Sequence, residues 1–256
     1  MVRLGLLPSR EKAKAAIFEG AVRVNGQIET RPSRNVAPDD TLSLDKTEAV
    51  RHVGRGSLKL LKALDAFEIS VAGLCCLDVG ASTGGFTQVL LERGALSVYA
   101  VDVGTGQLAQ SLRKDPRVTN LEWTDFRTLT QSQIIAVGFA CVDVSFISLR
   151  LILPRLFALL EEESHAVCLL KPQFEAGPHR LKKGIVKDPS IHVTVIEEIL
   201  AVTRQIGFQV CAMTHSPIRG GEGNIEYLMH IFKGIYEQSI PSAAEIVRLA
   251  WEDLLE

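Results

Sequence analysis

The chain has 256 residues, 46% of them apolar, which is enough for a full-sized core built as one large domain or as a large and a small one. No apolar run reaches the ~18 residues of a membrane span and the start has no leader pattern, so a cytoplasmic protein without stable membrane insertion is expected. The net charge of -2 conceals a basic front, with seven Lys or Arg against three Glu from Met1 to Arg34, and such a front suits contact with a polyanion.

Pro8 to Gly20 reads as a short helix, with Ser9 as N-cap, Ala13, Ala16 and Ile17 at helical spacing and Gly20 as its stop. A hairpin should follow, because Val22 and Val24 flank Arg23 and the Asn25-Gly26 pair precedes the return strand Gln27 to Glu29. Thr41 to Leu44 alternates again and predicts another short strand. The segment Lys46 to Ser57 is polar and carries Gly54 and Gly56, which places a boundary there: residues 1–47 form one module, 48–57 a linker and 58–256 a second domain.

Beyond Leu58 apolar strand runs alternate with helical segments, the pattern of an α/β fold with helices on both faces of a mainly parallel sheet. Seven strands are predicted: Leu74 to Val79, Ser97 to Val103, Val118 to Trp123, Phe139 to Val144, Ala166 to Leu170, Phe208 to Thr214 and Ile225 to Ile231. Only Ser216 to Asn224 joins the last two, too little for a crossover helix, so that pair should be antiparallel. A Rossmann-like sheet with its last strand antiparallel is the architecture of class I methyltransferases. The five cysteines fall in apolar runs without C-x-x-C spacing and read as reduced core residues.

The first of these strands ends in Asp78-Val79-Gly80-Ala81-Ser82-Thr83-Gly84-Gly85-Phe86, where small residues let the backbone approach a ligand. Ser82 stands where a dinucleotide fingerprint has its second glycine, and Asp78 is acidic beside the loop, so a cationic cofactor fits better than a diphosphate. Asp102, 22 residues beyond Gly80, is placed to bond both hydroxyls of a ribose, with Val103 beside it. Asp125 and Phe126 follow the third strand, where an adenine can be read. This set points to S-adenosylmethionine, with an NAD-dependent oxidoreductase as the alternative.

Lys59 opens the helix before the first of the seven strands, Asp143 and Lys171 end two strands, and Glu226 begins the last. Charges at the ends of buried strands require partners or a function. Taken with Ser9-Arg10-Glu11-Lys12-Ala13, Val24-Asn25-Gly26, Asp143-Val144-Ser145-Phe146-Ile147-Ser148, Lys171-Pro172-Gln173-Phe174-Glu175 and Gly223-Asn224-Ile225-Glu226, the sequence resembles the TlyA (haemolysin A) family nearly end to end. The resemblance implies an α+β S4-like RNA-binding domain ahead of an FtsJ-like 2'-O-methyltransferase domain. It implies that Lys59, Asp143, Lys171 and Glu226 form a catalytic tetrad, that S-adenosylmethionine is the cofactor and that ribosomal RNA is the substrate, with no metal required.

Lys171 is then expected to serve as base or as stabiliser of the ribose alkoxide, and Glu226 to position Lys59 or the ribose. Arg10, Lys12, Lys14, Arg23 and Asn25 are the expected RNA contacts of the first module. Two departures from the family pattern exist. Only Met1 to Leu7 precede the Ser-Arg motif, where a further helix is usual, and Gly54-Arg55-Gly56-Ser57 replaces Ser-Arg-Gly-Gly, which leaves Lys62 as a rival to Lys59. A non-enzymatic RNA-binding or assembly protein on the same fold remains an alternative, while direct membrane lysis is disfavoured by the lack of a spanning segment or basic amphipathic helix.

Overall fold

The computed structural model describes all residues except 8–9, 11–12, 14–15, 18–21, 30–31, 38, 45–53, 55, 221–222, 236–239 and 256. Near the start, Val22–Val24 (β1) pairs antiparallel with Gln27–Ile28 (β2), and Leu42–Leu44 (β3) joins the other edge of β1. Asn25 and Gly26 take φ of 52° and 80°, the left-handed pair that a two-residue hairpin turn needs. Arg10, Ala13, Ala16 and Ile17 are helical, and Ala13 and Ala16 are buried with Leu7 and Val22. The expected cap at Ser9, the stop at Gly20, Lys12, Lys14 and most of the 48–57 linker lie outside the described residues.

The second domain carries Cys75–Val79 (β4), Ser97–Val101 (β5), Val118–Leu121 (β6), Val137–Val142 (β7), Leu160–Leu170 (β8), Gln209–His215 (β9) and Tyr227–Lys233 (β10). They form one sheet in the order β6-β5-β4-β7-β8-β10-β9. Strands β4 to β8 run parallel, and β10 lies antiparallel between β8 and β9. This antiparallel insertion matches the expectation from the short 216–224 connection and departs from the all-parallel sheet of the oxidoreductase alternative. Strand β8 begins at Leu160, six residues earlier than expected, because the polar run Glu161-Glu162-Glu163 masks its exposed beginning.

The helices are Ser57–Ala66 (α1), Gly85–Glu92 (α2), Gln110–Arg113 (α3), Leu149–Leu159 (α4), Pro172–Glu175 (α5), Pro189–Ile206 (α6) and Ala243–Leu255 (α7). Alternate residues of each central strand feed opposite faces of the sheet. Cys76, Phe139, Val167, Leu169 and Leu228 pack under α1 and α2 with Leu60, Leu64, Val89 and Leu90. Leu77, Val142, Cys168, Leu170 and Met229 pack under α4, α6 and α7 with Leu153, Leu156, Ile196 and Val247. Each fully buried Leu or Val of this kind stabilises the fold by about 1.5–3 kcal/mol relative to exposure. Such two-sided burial explains why the strands read as continuous apolar runs.

Strand order reverses between β5 and β7, on either side of β4, and the carboxyl ends there frame a crevice. Gly80 takes φ of 86°, and a Cβ at that position would collide with the main-chain carbonyl of Asp143 at the end of β7. The loop is stitched down by Gly80 N and Ala81 N donating to Val101 O, at 2.8 and 3.1 Å, and by Asp143 N donating to Val79 O at 2.9 Å. A glycine is therefore required for close approach of the first loop to the fourth.

Asp78, read from sequence as facing that loop, is instead fully buried within β4. Its carboxyl accepts from the Thr87 hydroxyl at 2.7 Å and from the Cys141 thiol at 3.7 Å. Burial pushes its pKa up from 3.8 to about 7, and the nearby Asp143 charge adds to the rise. Between those values the folded chain keeps a proton that the unfolded chain has released, so unfolding free energy falls as pH rises through the window. Asp78→Asn keeps the Thr87 bond and removes the titration. Its urea midpoint is expected to gain on the wild-type midpoint as pH increases from about 4.5 to about 7; identical pH dependences for the two proteins would disprove the buried titration.

Candidate active site

Four charged side chains meet at the carboxyl edge of the sheet. Asp143 leaves β7, Lys171 leaves the neighbouring β8 and Lys59 comes from the first turn of α1. Glu226 immediately precedes β10, whose reversed direction brings its start to the edge where the parallel strands end. The register opposes Tyr227 to Leu170, which sets Glu226 beside Lys171. Lys59 Nζ lies 2.6 Å from Glu226 Oε2 and 3.9 Å from Asp143 Oδ2. Lys171 Nζ lies 2.6 Å from Asp143 Oδ1 and donates to Ser145 Oγ at 3.0 Å. The Lys171–Asp143 contact is a close ion pair rather than an aligned hydrogen bond.

The charges alternate along the chain Glu226, Lys59, Asp143, Lys171. Lys59 and Lys171 are each 7% exposed and Glu226 3%. Burial of these three charges beside the half-buried Asp143 is tolerated because each has an opposite neighbour. Gln173, from α5, donates to Glu226 Oε1 at 3.3 Å, while its own carbonyl oxygen is buried without a partner. Lys62 turns elsewhere, 3.5 Å from both ring nitrogens of His215, which pairs with Asp253 at 3.0 Å. Of the two rival lysines, Lys59 is the one the fold brings to the cluster.

Two cavities adjoin the cluster and share Gly80, Ser82 and Asp143. The smaller, about 230 Å³, is bounded by Gly56, Lys59, Ala81, Thr83, Gly85 and Phe86 together with Gly220. The larger, about 440 Å³, is bounded by Asp102, Val103, Asp125, Phe126, Arg127, Phe146 and Ile147. Asp102 is fixed by two main-chain donors, Ser82 N at 2.8 Å and Gly104 N at 2.7 Å. Each oxygen keeps a free lone pair, so the carboxylate can still accept from two hydroxyls. Ten of the twelve residues expected to hold the cofactor line one cavity or the other; Asp78 and Gly84 lie behind the lining, Gly84 against Leu108 and Leu112.

Asp125 caps a short turn over Phe126–Thr128 and is gripped by Arg127, whose Nη2 approaches to 2.6 Å. These hydrogen bonds hold its carboxyl below the usual range. Asn25, expected to contact RNA, is spent internally: its amide donates to Asp40 at 2.7 Å and its carbonyl accepts from Thr41 N at 2.8 Å. It ties the hairpin to β3. Arg10 is exposed, and Arg23 is half-buried and donates to Gly26 O.

Several residues at the site were not singled out from the sequence. Ser145 steadies Lys171. Glu175 latches the loop after β7 to the loop after β8, accepting from Ser148 Oγ at 2.5 Å and Leu149 N at 2.7 Å; burial raises its carboxyl pKa. Phe146 stands 88% exposed at the cleft mouth with φ of 63°, its ring 5.0 Å from that of Phe174. A bulky residue in the left-handed region is uncommon, and such strain gathers at functional sites. The signal for it was an aromatic residue three positions after Asp143, in the short segment between a strand and the next helix.

Comparisons with known proteins agree with this geometry. Residues 52–233 match the family model for FtsJ-like methyltransferases, and residues 1–42 match that for the S4 domain. A Mycobacterium tuberculosis protein, 16S/23S rRNA (cytidine-2'-O)-methyltransferase TlyA, is 42% identical over 90% of this chain and 86% of its own length. Hemolysin A of Brachyspira hyodysenteriae is 40% identical over 88% of this chain and 95% of its own. The solved structure of a candidate hemolysin from Streptococcus thermophilus superposes with a TM-score of 0.80 at 42% identity, covering 97% of this chain and 92% of that one. Among the described residues no helix is long and apolar enough to cross a membrane. The chain therefore belongs to the FtsJ-like methyltransferases, within the TlyA (haemolysin A) family that sets an S4 domain before the methyltransferase domain.

Proposed function

We propose that this protein methylates a ribose 2'-hydroxyl of ribosomal RNA, using S-adenosylmethionine. The observation that carries the proposal is the alternating Glu226, Lys59, Asp143, Lys171 cluster at the lip of a cleft that also holds Asp102. The donor set fits the cofactor: Asp102 accepts from the ribose hydroxyls, Val103, Phe126 and Ile147 offer apolar walls to the adenine, and Asp125 borders the same compartment. The smaller compartment, with its main-chain edge at Gly80 to Gly85, takes the methionyl part. The function named for the M. tuberculosis relative supports a cytidine ribose as target, and a ribosomal RNA substrate supports a cytoplasmic setting for the enzyme.

S-adenosylmethionine, when bound, supplies a methyl group already activated on a sulfonium. The chain's own work is therefore alignment and the handling of one proton. Lys171 meets the 2'-oxygen, taking its proton if it acts as the neutral amine or stabilising the alkoxide as the ammonium, while the methyl group passes from sulfur to oxygen. Asp143 and Ser145 hold the amine in place, and Lys59, held by Glu226, supports Asp143 from the other side. Phe146 offers an exposed ring on which a base turned out of its stack can rest. The S4 module, residues 1–47, supplies phosphate contacts through Arg10, Lys12, Lys14 and Arg23, which give affinity and register.

Two measurements test this reading. Asp102→Ala is expected to weaken S-adenosylmethionine binding in calorimetry by more than about tenfold, since a charged acceptor of two hydrogen bonds is lost; unchanged affinity would refute the ribose assignment. Lys171→Ala is expected to slow single-turnover methyl transfer to ribosomal subunits by at least ~100-fold, the scale of a general base, with cofactor affinity preserved. Near-normal transfer would make Lys171 a structural strand end, and loss of cofactor binding along with transfer would make it a support of the fold.

A further inference from the structure

The loop between α5 and α6 is a second cationic element, separate from the S4 module. From His179 to Lys187 it carries Arg180, Lys182, Lys183 and Lys187 and no acidic residue. All five of these basic side chains are exposed. None of the four lysine and arginine groups forms an ion pair among the described residues. Five other surface arginines of this domain are neutralised at close range, Arg93 by Asp65, Arg113 by Glu122, Arg117 by Asp115, Arg127 by Asp125 and Arg150 by Glu198, whereas the exposed Arg204 has no ion pair among the described residues. The adjacent carboxylate, Asp188, is exposed and caps α6, accepting from Ser190 N at 2.9 Å and Ser190 Oγ at 2.7 Å; these bonds lower its pKa and the Lys182 charge helps, although Asp188 and Lys182 form no close ion pair.

The loop is also built rather than loosely draped. Lys182 and Ile185 exchange main-chain hydrogen bonds of 2.9 and 3.2 Å, and the two residues between them, Lys183 and Gly184, take φ of 53° and 79°. That is the left-handed pair of a tight hairpin turn, and it holds a lysine at the tip in a conformation lysine seldom adopts. Asn224, 1% exposed, clamps the turn from behind: its carbonyl accepts from Val186 N at 3.1 Å and its amide donates to Gly184 O at 3.0 Å. His192 bonds Val186 O at 2.9 Å with one ring nitrogen and the Tyr227 hydroxyl at 2.9 Å with the other. Asn224 and Tyr227 flank Glu226. The turn is thus fastened to the same strand start that carries a member of the catalytic cluster. A concave surface of about 500 Å³ opens beside it, lined by four basic residues, His179, Arg180, Lys182 and Lys187, against one acidic residue, Asp188.

We propose that this loop is a phosphate clamp, gripping the backbone of ribosomal RNA beside the nucleotide whose ribose enters the cleft; the assignment rests on the function proposed above. Cations without close ion-pair partners, in net excess on a fixed frame, lose little conformational freedom when they meet phosphates, and each contact releases condensed counterions. Because the frame is tied through Asn224 to the Glu226 segment, the clamp sets how the strand lies relative to Lys171. The S4 module then supplies general affinity and the loop supplies local register.

The test compares wild type with the triple variant Arg180→Ala/Lys182→Ala/Lys187→Ala and with the charge-preserving Arg180→Lys/Lys182→Arg/Lys187→Arg. Binding to purified small and large ribosomal subunits, and to the protein-free RNA extracted from each, is measured across a salt series, with an S-adenosylmethionine titration on each preparation as the check of folding. The neutralised variant is expected to bind roughly ten- to a hundredfold more weakly, with the slope of log affinity against log salt reduced by about 2, as for three lost phosphate contacts. Cofactor affinity should be unchanged, and the charge-preserving variant should bind nearly as wild type. Equal affinity and slope in the neutralised variant, or weaker binding with the slope unaltered, would overturn the clamp. A loss confined to intact subunits, with free RNA bound as before, would assign the loop to a ribosomal protein and overturn it also. A wild-type protein that binds neither subunit nor RNA would overturn the function itself, and the clamp with it.

Discussion

Asp143 holds two buried cations on a single carboxylate, Lys171 on Oδ1 and Lys59 near Oδ2, and the geometry of the active site depends on that sharing. Removing one charge from such a cluster would leave an uncompensated ion in a poorly hydrated place, a loss of about 3–5 kcal/mol. Position matters as much as charge. Asp143 can stand over the cleft only because Gly80 has no side chain to push its carbonyl away, and Gly80 is itself pinned to β5. The glycine loop therefore serves two purposes, opening the main chain toward a ligand and admitting the carboxylate that organises the lysines.

Topology supplies the fourth member. Were β10 parallel to β8, its beginning would lie at the far edge of the sheet and Glu226 would be remote from both lysines. The hairpin from β9 reverses it, and Glu226 arrives opposite Lys171 with Lys59 reaching over from α1. Elements distant in sequence thus converge by strand direction alone. Gln173 then bridges the turn after β8 to Glu226, and Glu175 in the same turn secures the segment after β7. The strand ends that carry Asp143 and Lys171 are both braced by one short helix.

The strands were legible because two-sided burial leaves continuous apolar runs, and their ends were legible because charge interrupts those runs at Asp143, Lys171 and Asp102. Where a side chain points was not. Asp78 sits at a strand end by sequence, yet the pleat turns it under α2 to meet Thr87, away from the cleft it was expected to face. Asn25 has the residue type for an RNA contact, but long-range pairing to Asp40 and Thr41, residues far along the chain, consumes its amide. The start of β8 was hidden because Glu161 to Glu163 are exposed and carry no apolar signal, although their backbone continues the strand. Phe146 could be noticed only as an aromatic residue out of place, since its exposure and left-handed φ are properties of the folded loop.

The two compartments of the cleft meet at Gly80, Ser82 and Asp143, and this shared wall joins the proposed cofactor site to the charged cluster. Ser82 N fixes one oxygen of Asp102, so that carboxylate and the small-residue loop are tied together. Asp143 closes the opposite side and also sets Lys171. A ligand spanning both compartments would then present its reactive centre near the one carboxylate that positions both lysines. Methyl transfer needs donor and acceptor in line within a narrow range of distance. At the proposed site the strand ends are held by short covalent spans, main-chain hydrogen bonds and the Asp143–Lys171 ion pair, a rigid frame of the kind such alignment requires.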